Sequence, residues 1–173
     1  MQKKFVGLLC GACLYGVGLG GCGSATVGAG DAYLDEGNYD QAIAAYDDAI
    51  RRDPTNSDAF NNRCFAYFNK RDYDLAIQDC TEAIRLKPNF AEAFNNRGIS
   101  YASKAESDRA NADFSEAVRL NPRFANAFWN RGKLYCSLGD NARSSADYNR
   151  AVLLDSSLKQ RVAYPCVGTA ERR

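Results

Sequence analysis

One interval governs this chain. The pair Asn-Arg recurs at Asn62-Arg63, Asn96-Arg97 and Asn130-Arg131, 34 residues apart each time. Around it Ala59-Phe60-Asn61-Asn62-Arg63, Ala93-Phe94-Asn95-Asn96-Arg97 and Ala127-Phe128-Trp129-Asn130-Arg131 align without gaps. Tyr67, Tyr101 and Tyr135 keep the interval, as do Ala83, Ala117 and Ala151, and Pro54, Pro88 and Pro122 close three of the units. A unit this short cannot bury a core of its own. It must stack on its neighbours, so the period implies an array of four units, 23–56, 57–90, 91–124 and 125–158. Ala42, Ile43, Tyr46, Ala49 and Ile50 fall on one helix face, and Ala76, Ile77, Cys80, Ala83 and Ile84 repeat that stripe. Small residues at matching places, Gly30, Ala42 and Ala49, then Gly98, Ala110 and Ala117, let two helices approach closely. Gly37 and Gly139 suit a tight turn between helices, and each proline stops the helix before it. No segment shows useful strand alternation, so the fold class is all-α.

Glycine, tyrosine three residues later, alanine, an aromatic and a closing proline resemble the tetratricopeptide repeat. The resemblance implies a pair of antiparallel helices per unit. The whole is then a right-handed α-solenoid of four helix-turn-helix units over 27–164, with a short capping helix at 159–164 and a flexible tail at 165–173. The end units depart from the pattern. The first has Thr26, Val27, Gly28 and Ala29 where the others carry Phe and Asn-Arg, and the fourth has Ser144 and Ser156 where Ala and Pro are usual. Terminal repeats have one neighbour only, so such decay is expected. Lys159 to Ala163 continue in phase as the start of a cap, which Pro165 and Gly168 end.

Arg63, Arg97 and Arg131 stand where the family often has leucine, and Asp79, Asp113 and Asp147 follow 16 residues after each. Across a hairpin turning midway, residues 16 apart face each other, which implies three partly buried ion pairs. Such a pair specifies geometry more surely than it stabilises. A charged lining for a ligand is the other reading. The first unit has Ala29 and Ala45 at both places. Cys64 and Cys80 are also 16 apart, replacing the hairpin Gly and its facing aromatic. They either form a disulfide or simply exchange volume, one side chain grown and its neighbour shrunk. A Cys136–Cys166 bond would staple the cap to the last unit. None of Cys64, Cys80, Cys136 and Cys166 has a CxxC context, which argues against redox catalysis.

In the resembled family the first helices of successive units line a concave groove that binds peptide segments. By repeat position that groove displays Asn62, Asn96 and Asn130 in a row, flanked by Asn61 and Asn95, with Phe65, Phe68, Ile99, Trp129 and Lys133 as further candidates. The row is similar to the asparagine ladder of O-linked N-acetylglucosamine transferase, where amides offer both donor and acceptor to peptide backbone. The same amides could instead bridge neighbouring helices, and both readings stand. Trp129 is a groove anchor or packs against a neighbouring helix. Chaperone-binding members grip a C-terminal carboxylate with basic residues; here those positions read Val27, Asp31, Asn62, Glu92 and Asn96, so that clamp is unsupported.

The N-terminus carries a separate signal. Lys3 and Lys4 precede an apolar stretch from Phe5 to Gly21, the pattern of a secretory leader. Leu19-Gly20-Gly21-Cys22 resembles the lipobox of bacterial lipoproteins, which implies a signal peptide at 1–21 and diacylglycerol on Cys22. Residues 22–26 would then be a short tether, reaching at most about 17–18 Å if extended. Gly23 in place of Asp resembles the outer-membrane default, facing the periplasm if the source is Gram-negative. Losing Lys3 and Lys4 turns the formal charge from +1 to −1, which gives no electrostatic case for nucleic acid. The chain has no histidine, which removes His-based nucleophile systems and His-ligated metals. No cofactor is expected beyond the lipid, and no small-molecule substrate. The sequence therefore reads as a lipid-anchored, non-enzymatic scaffold for other proteins of the cell envelope. The alternatives are an assembly factor for type IV pilus or secretin complexes, and a self-associating structural lipoprotein. A carboxylate-pair glycan enzyme is the weakest class, since the acids fit solvated faces or arginine pairing.

Overall fold

The computed structural model describes residues 22–161. Within them lie eight α-helices in four hairpins: α1 (Cys22–Asp35) with α2 (Tyr39–Arg52), α3 (Ser57–Asn69) with α4 (Tyr73–Leu86), α5 (Ala91–Ser103) with α6 (Ser107–Leu120), and α7 (Ala125–Ser137) with α8 (Asn141–Leu154). A 3₁₀ segment, Ser156–Arg161, follows. The period thus resolves into the expected helical pairs, and no strand occurs among the described residues.

Each hairpin turns through the same backbone device. Residues 37, 71, 105 and 139 all have positive φ, and the amide after each reaches back to the helix, as from Asn38 to the Tyr33 carbonyl at 2.8 Å. This is a Schellman closure, which glycine adopts without strain. Gly37 and Gly139 supply it in the outer hairpins, whereas Arg71 (φ 68°) and Ala105 (φ 61°) adopt it in the inner two. The second helices end at Arg52, Leu86 and Leu120, just before the cap residues that precede the prolines. Those caps, Asp53, Lys87 and Asn121, have φ of −137°, −135° and −131°, which a following proline favours, and Asp155, followed by Ser156, closes α8 at −140° in the same way.

Two boundaries differ from the sequence expectation. Helix α1 begins at Cys22, so 22–26 run as helix, spanning about 7–8 Å at 1.5 Å per residue instead of forming an extended tether. The cap starts at Ser156, not Lys159, and is 3₁₀: serine in place of proline lets the chain turn on at once, and Leu158 buries itself against the last hairpin. Residues 1–21 and 162–173 lie outside the described residues, and with them the leader, the tail and Cys166.

The close approach inside each hairpin comes from a missing side chain. A Cβ on Gly98 would stand 2.7 Å from the Phe114 ring, and one on Gly132 3.1 Å from Tyr148. These aromatics, with Tyr46 against Gly30, fill the space the glycines leave. Burying a ring such as Phe114 contributes roughly 1.5–3 kcal/mol. Between hairpins, each second helix packs on the next first helix: α2 on α3, α4 on α5, α6 on α7. The first helices also touch one another in the series α1, α3, α5, α7, while the second helices do not. The first helices therefore form the inner, concave layer of the curve.

Candidate peptide-binding groove

The arginines anchor the wall behind the groove. Arg63, Arg97 and Arg131 each clasp the aspartate 16 residues on through two bonds, with Nε–Oδ2 distances of 2.7, 2.8 and 2.7 Å to Asp79, Asp113 and Asp147. The aspartates are buried. The remaining Nη1 reaches the preceding hairpin: to the Asp47 carboxylate at 2.5 Å, the Thr81 hydroxyl at 3.1 Å and the Ser115 hydroxyl at 3.2 Å. Each guanidinium also lies over the aromatic rings three before and four after it, Phe60 and Tyr67, Phe94 and Tyr101, Phe128 and Tyr135, at 5.5–6.0 Å. Burial opposes the charge on Arg63, but Asp79 and Asp47 outweigh it and raise its pKa. Burial in turn pushes the Asp79 carboxyl up, with Asp47 as a like charge nearby. None of these six residues lines the groove cavity, so the structure places them as inter-helix ties and not as a ligand lining.

The asparagines form one relay. Asn130 Nδ2 donates to Asn95 Oδ1 (3.0 Å) and Asn95 to Asn96 (3.4 Å). Asn96 donates to Asn61 (2.9 Å), Asn61 to Asn62 (3.1 Å), and Asn62 to Asp31 Oδ1 (2.8 Å). The Tyr46 hydroxyl donates to the same Asp31 oxygen at 2.7 Å. A file of amides each donating the same way needs a pure acceptor at its end, and an ionised carboxylate is one. Burial, then Asp31, raises the Tyr46 pKa, which keeps that phenol a donor. The bridging reading therefore describes the bonds these side chains make. Asn62, Asn96 and Asn130 still keep one uncommitted N–H apiece, since each amide has two and spends one. The relay stops at the fourth unit, where Trp129 takes the place of Asn61 and Asn95 and packs 4.8 Å from the Tyr148 ring.

In front of the relay lies an open cavity of about 540 Å³ across α3, α5 and α7. It gathers Asn61, Asn62, Asn95, Asn96, Asn130, Phe65, Ile99, Trp129 and Lys133. Phe68 belongs to an adjoining hollow of about 380 Å³ that shares Ile99, Asn130 and Lys133 with the first. Nine of the ten sequence candidates thus line the first cavity, and Phe68 lines only the second. The sequence reading missed Phe124 and Asn126 there; both open α7 and the turn before it, at places where the period alone marks no chemistry. Glu92, considered only as a failed clamp position, also lines it.

Cys64, Cys80 and Cys136 sit outside this cavity. Cys64 and Cys80 are bonded across the second hairpin, their Cα atoms 5.5 Å apart and both side chains fully buried. Cys136 is disulfide-bonded as well; its expected partner Cys166 lies outside the described residues. No group of metal-binding side chains occurs among the described residues, and no helix there is long and apolar enough to cross a membrane. Cys22 is the first residue of α1, and its side chain is outside the described set.

No curated protein matches the chain. Solved structures do. A thermophilic tetratricopeptide-repeat protein of Thermus thermophilus aligns with a TM-score of 0.72 at 18% identity, over 78% of this chain and 75% of that one. PilF of Pseudomonas aeruginosa aligns with a TM-score of 0.72 at 22% identity, over 78% and 61%. The second such domain of human RPAP3, solved in complex with an HSP70 peptide, aligns with a TM-score of 0.60 at 28% identity, over 65% and 97%. The first two show the fold alone. A tetratricopeptide-repeat family model covers residues 27–91 and 95–158, so the chain belongs to the tetratricopeptide-repeat family, whose members mediate protein–protein interactions and in some cases bind peptides.

Proposed function

We propose that this chain is an exported, lipid-anchored scaffold that holds peptide segments of partner proteins in its concave groove, serving as an adaptor for cell-envelope machinery. One observation carries the binding half of the reading: a single open cavity collects a pre-ordered file of amides with spare N–H groups beside apolar anchors and a lysine that has no carboxylate partner among the described residues. Amides already fixed by one bond lose little freedom on making a second, so backbone recognition there costs little ordering entropy. The anchoring half rests on Leu19-Gly20-Gly21-Cys22 behind a basic, apolar leader. Because α1 starts at Cys22, the groove's first helix would rise directly from the lipid, keeping the site close to the membrane.

Affinity capture from envelope extract tests the binding half, comparing wild type with Asn96→Ala/Trp129→Ala. The double variant loses the partners that wild type retains; equal recovery by both overturns the reading. Labelling with an alkyne fatty acid tests the anchor, with label on wild type and none on Cys22→Ser.

A further inference from the structure

The four first helices carry, at one and the same repeat position, Asp31, Phe65, Ile99 and Lys133. Along the concave face this row runs acid, aromatic, aliphatic, base. Phe65, Ile99 and Lys133 line the groove cavity, as does the acidic Glu92, and Asp31, outside that lining, stands at the same repeat position where the amide relay ends. Asp35, exposed one turn further along α1, adds to the acidic end. Lys133 is exposed and has no carboxylate partner among the described residues. Opposite charges thus mark the two ends, with two apolar positions between them.

The step along the row selects a backbone. Successive first helices pack in direct contact, and helices in contact lie about 8–10 Å apart. A polyproline-II segment has three residues per turn and advances about 3.1 Å each, so every third side chain returns to one face after about 9.3 Å. A β-strand returns every second side chain after about 6.6 Å, out of step with the helices. An α-helix comes back into step near 10.5 Å, after seven residues. Its amides and carbonyls are spent internally, however, which leaves the spare N–H of Asn62, Asn96 and Asn130 without acceptors. Polyproline II leaves its carbonyls unbonded.

We propose that the groove takes a polyproline-II segment of a partner protein bearing anchors at every third residue: a basic side chain over Asp31, two apolar side chains over Phe65 and Ile99, and an acidic side chain over Lys133. This deepens the groove reading above and rests on it.

Four synthetic peptides with one proline-rich core test it by fluorescence anisotropy against the full mature chain. Three carry anchors at positions 1, 4, 7 and 10 with end residues Lys/Glu, Lys/Lys or Glu/Glu; the fourth carries the Lys/Glu set at every second residue. Having one end of each sign makes the result independent of the direction in which a peptide lies. Wild type binds the three-residue Lys/Glu peptide about fivefold tighter than either like-charged peptide. Lys133→Glu, on an exposed site that leaves the fold intact by circular dichroism, reverses the preference toward Lys/Lys. Equal affinity for the three, a preference for the two-residue spacing, or no binding of any overturns the proposal. An unbiased displayed-peptide selection separates the two levels. Peptides that need Asn96 and Trp129 but lack this spacing overturn the proposal and leave the groove reading standing; a selection with no peptide that needs Asn96 and Trp129 overturns both.

Discussion

The second and third hairpins close the same contact by opposite means. In α5–α6 the contact is an absence facing a ring, Gly98 under Phe114; in α3–α4 it is a covalent bond, Cys64 to Cys80. The chemistry of the contact differs, but the helices beyond it are tied alike by arginine, aspartate and aromatic rings. The hairpin geometry is therefore over-determined. The position pair can be filled in any way that preserves close approach, and the ion pair fixes it a second time.

The largest effect should come from the shared ties. Arg97→Ala strands Asp113 in a buried site and should cost about 3–5 kcal/mol in denaturant unfolding, with a double-mutant cycle against Asp113→Ala showing clear coupling. Arg63→Ala should cost more, since it leaves buried Asp79 facing the like charge of Asp47 with no cation between them. Equal losses would dissolve that distinction between the two hairpins. Next is the covalent difference itself. Reduction should remove about 3 kcal/mol through the closed loop of the Cys64–Cys80 bond. The exchange Cys64→Gly/Cys80→Phe rebuilds the second hairpin on the plan of the third. It should fold, and reduction should then act only through Cys136. A third, smaller effect concerns the glycine contact. Gly98→Ala presses a methyl into the Phe114 ring and should cost about 1–3 kcal/mol, whereas Gly132→Ala, with 3.1 Å to its ring, should cost less. The smallest change is a gain. Ala105→Gly relieves a positive φ and should add up to about 1 kcal/mol, while Gly37→Ala should lose stability at the equivalent turn.

Most of the fold is visible in one interval because each unit repeats both its packing residues and its stop signals. The 16-residue offset between Arg97 and Asp113 exposes the facing of two helices, and the same offset serves Cys64 and Cys80. The rings flanking each arginine were also within reach, at three before and four after on one helix. What escaped depends on relations between units. Asn61 and Asn62 are neighbours in sequence, yet one accepts from the following unit and the other donates to the preceding one. Only the stacking of α1, α3 and α5 makes that a relay. Arg71 and Ala105 escaped for the opposite reason: tertiary packing imposes on them a turn conformation their side chains disfavour. The early start of α1 and of the cap lay at the ends, where the period has decayed.

The central claim is that partners are held on the inner layer of first helices and not on the outer layer. Site-specific photo-crosslinking in intact cells tests it most directly. A photoreactive residue replaces Phe65 or Lys133 in the groove, or Leu75 or Leu153, which are exposed on α4 and α8. The account predicts a shared crosslinked partner from the two groove positions and none from the two outer ones. The same partner captured from Leu75 or Leu153, with the groove positions silent, would contradict it.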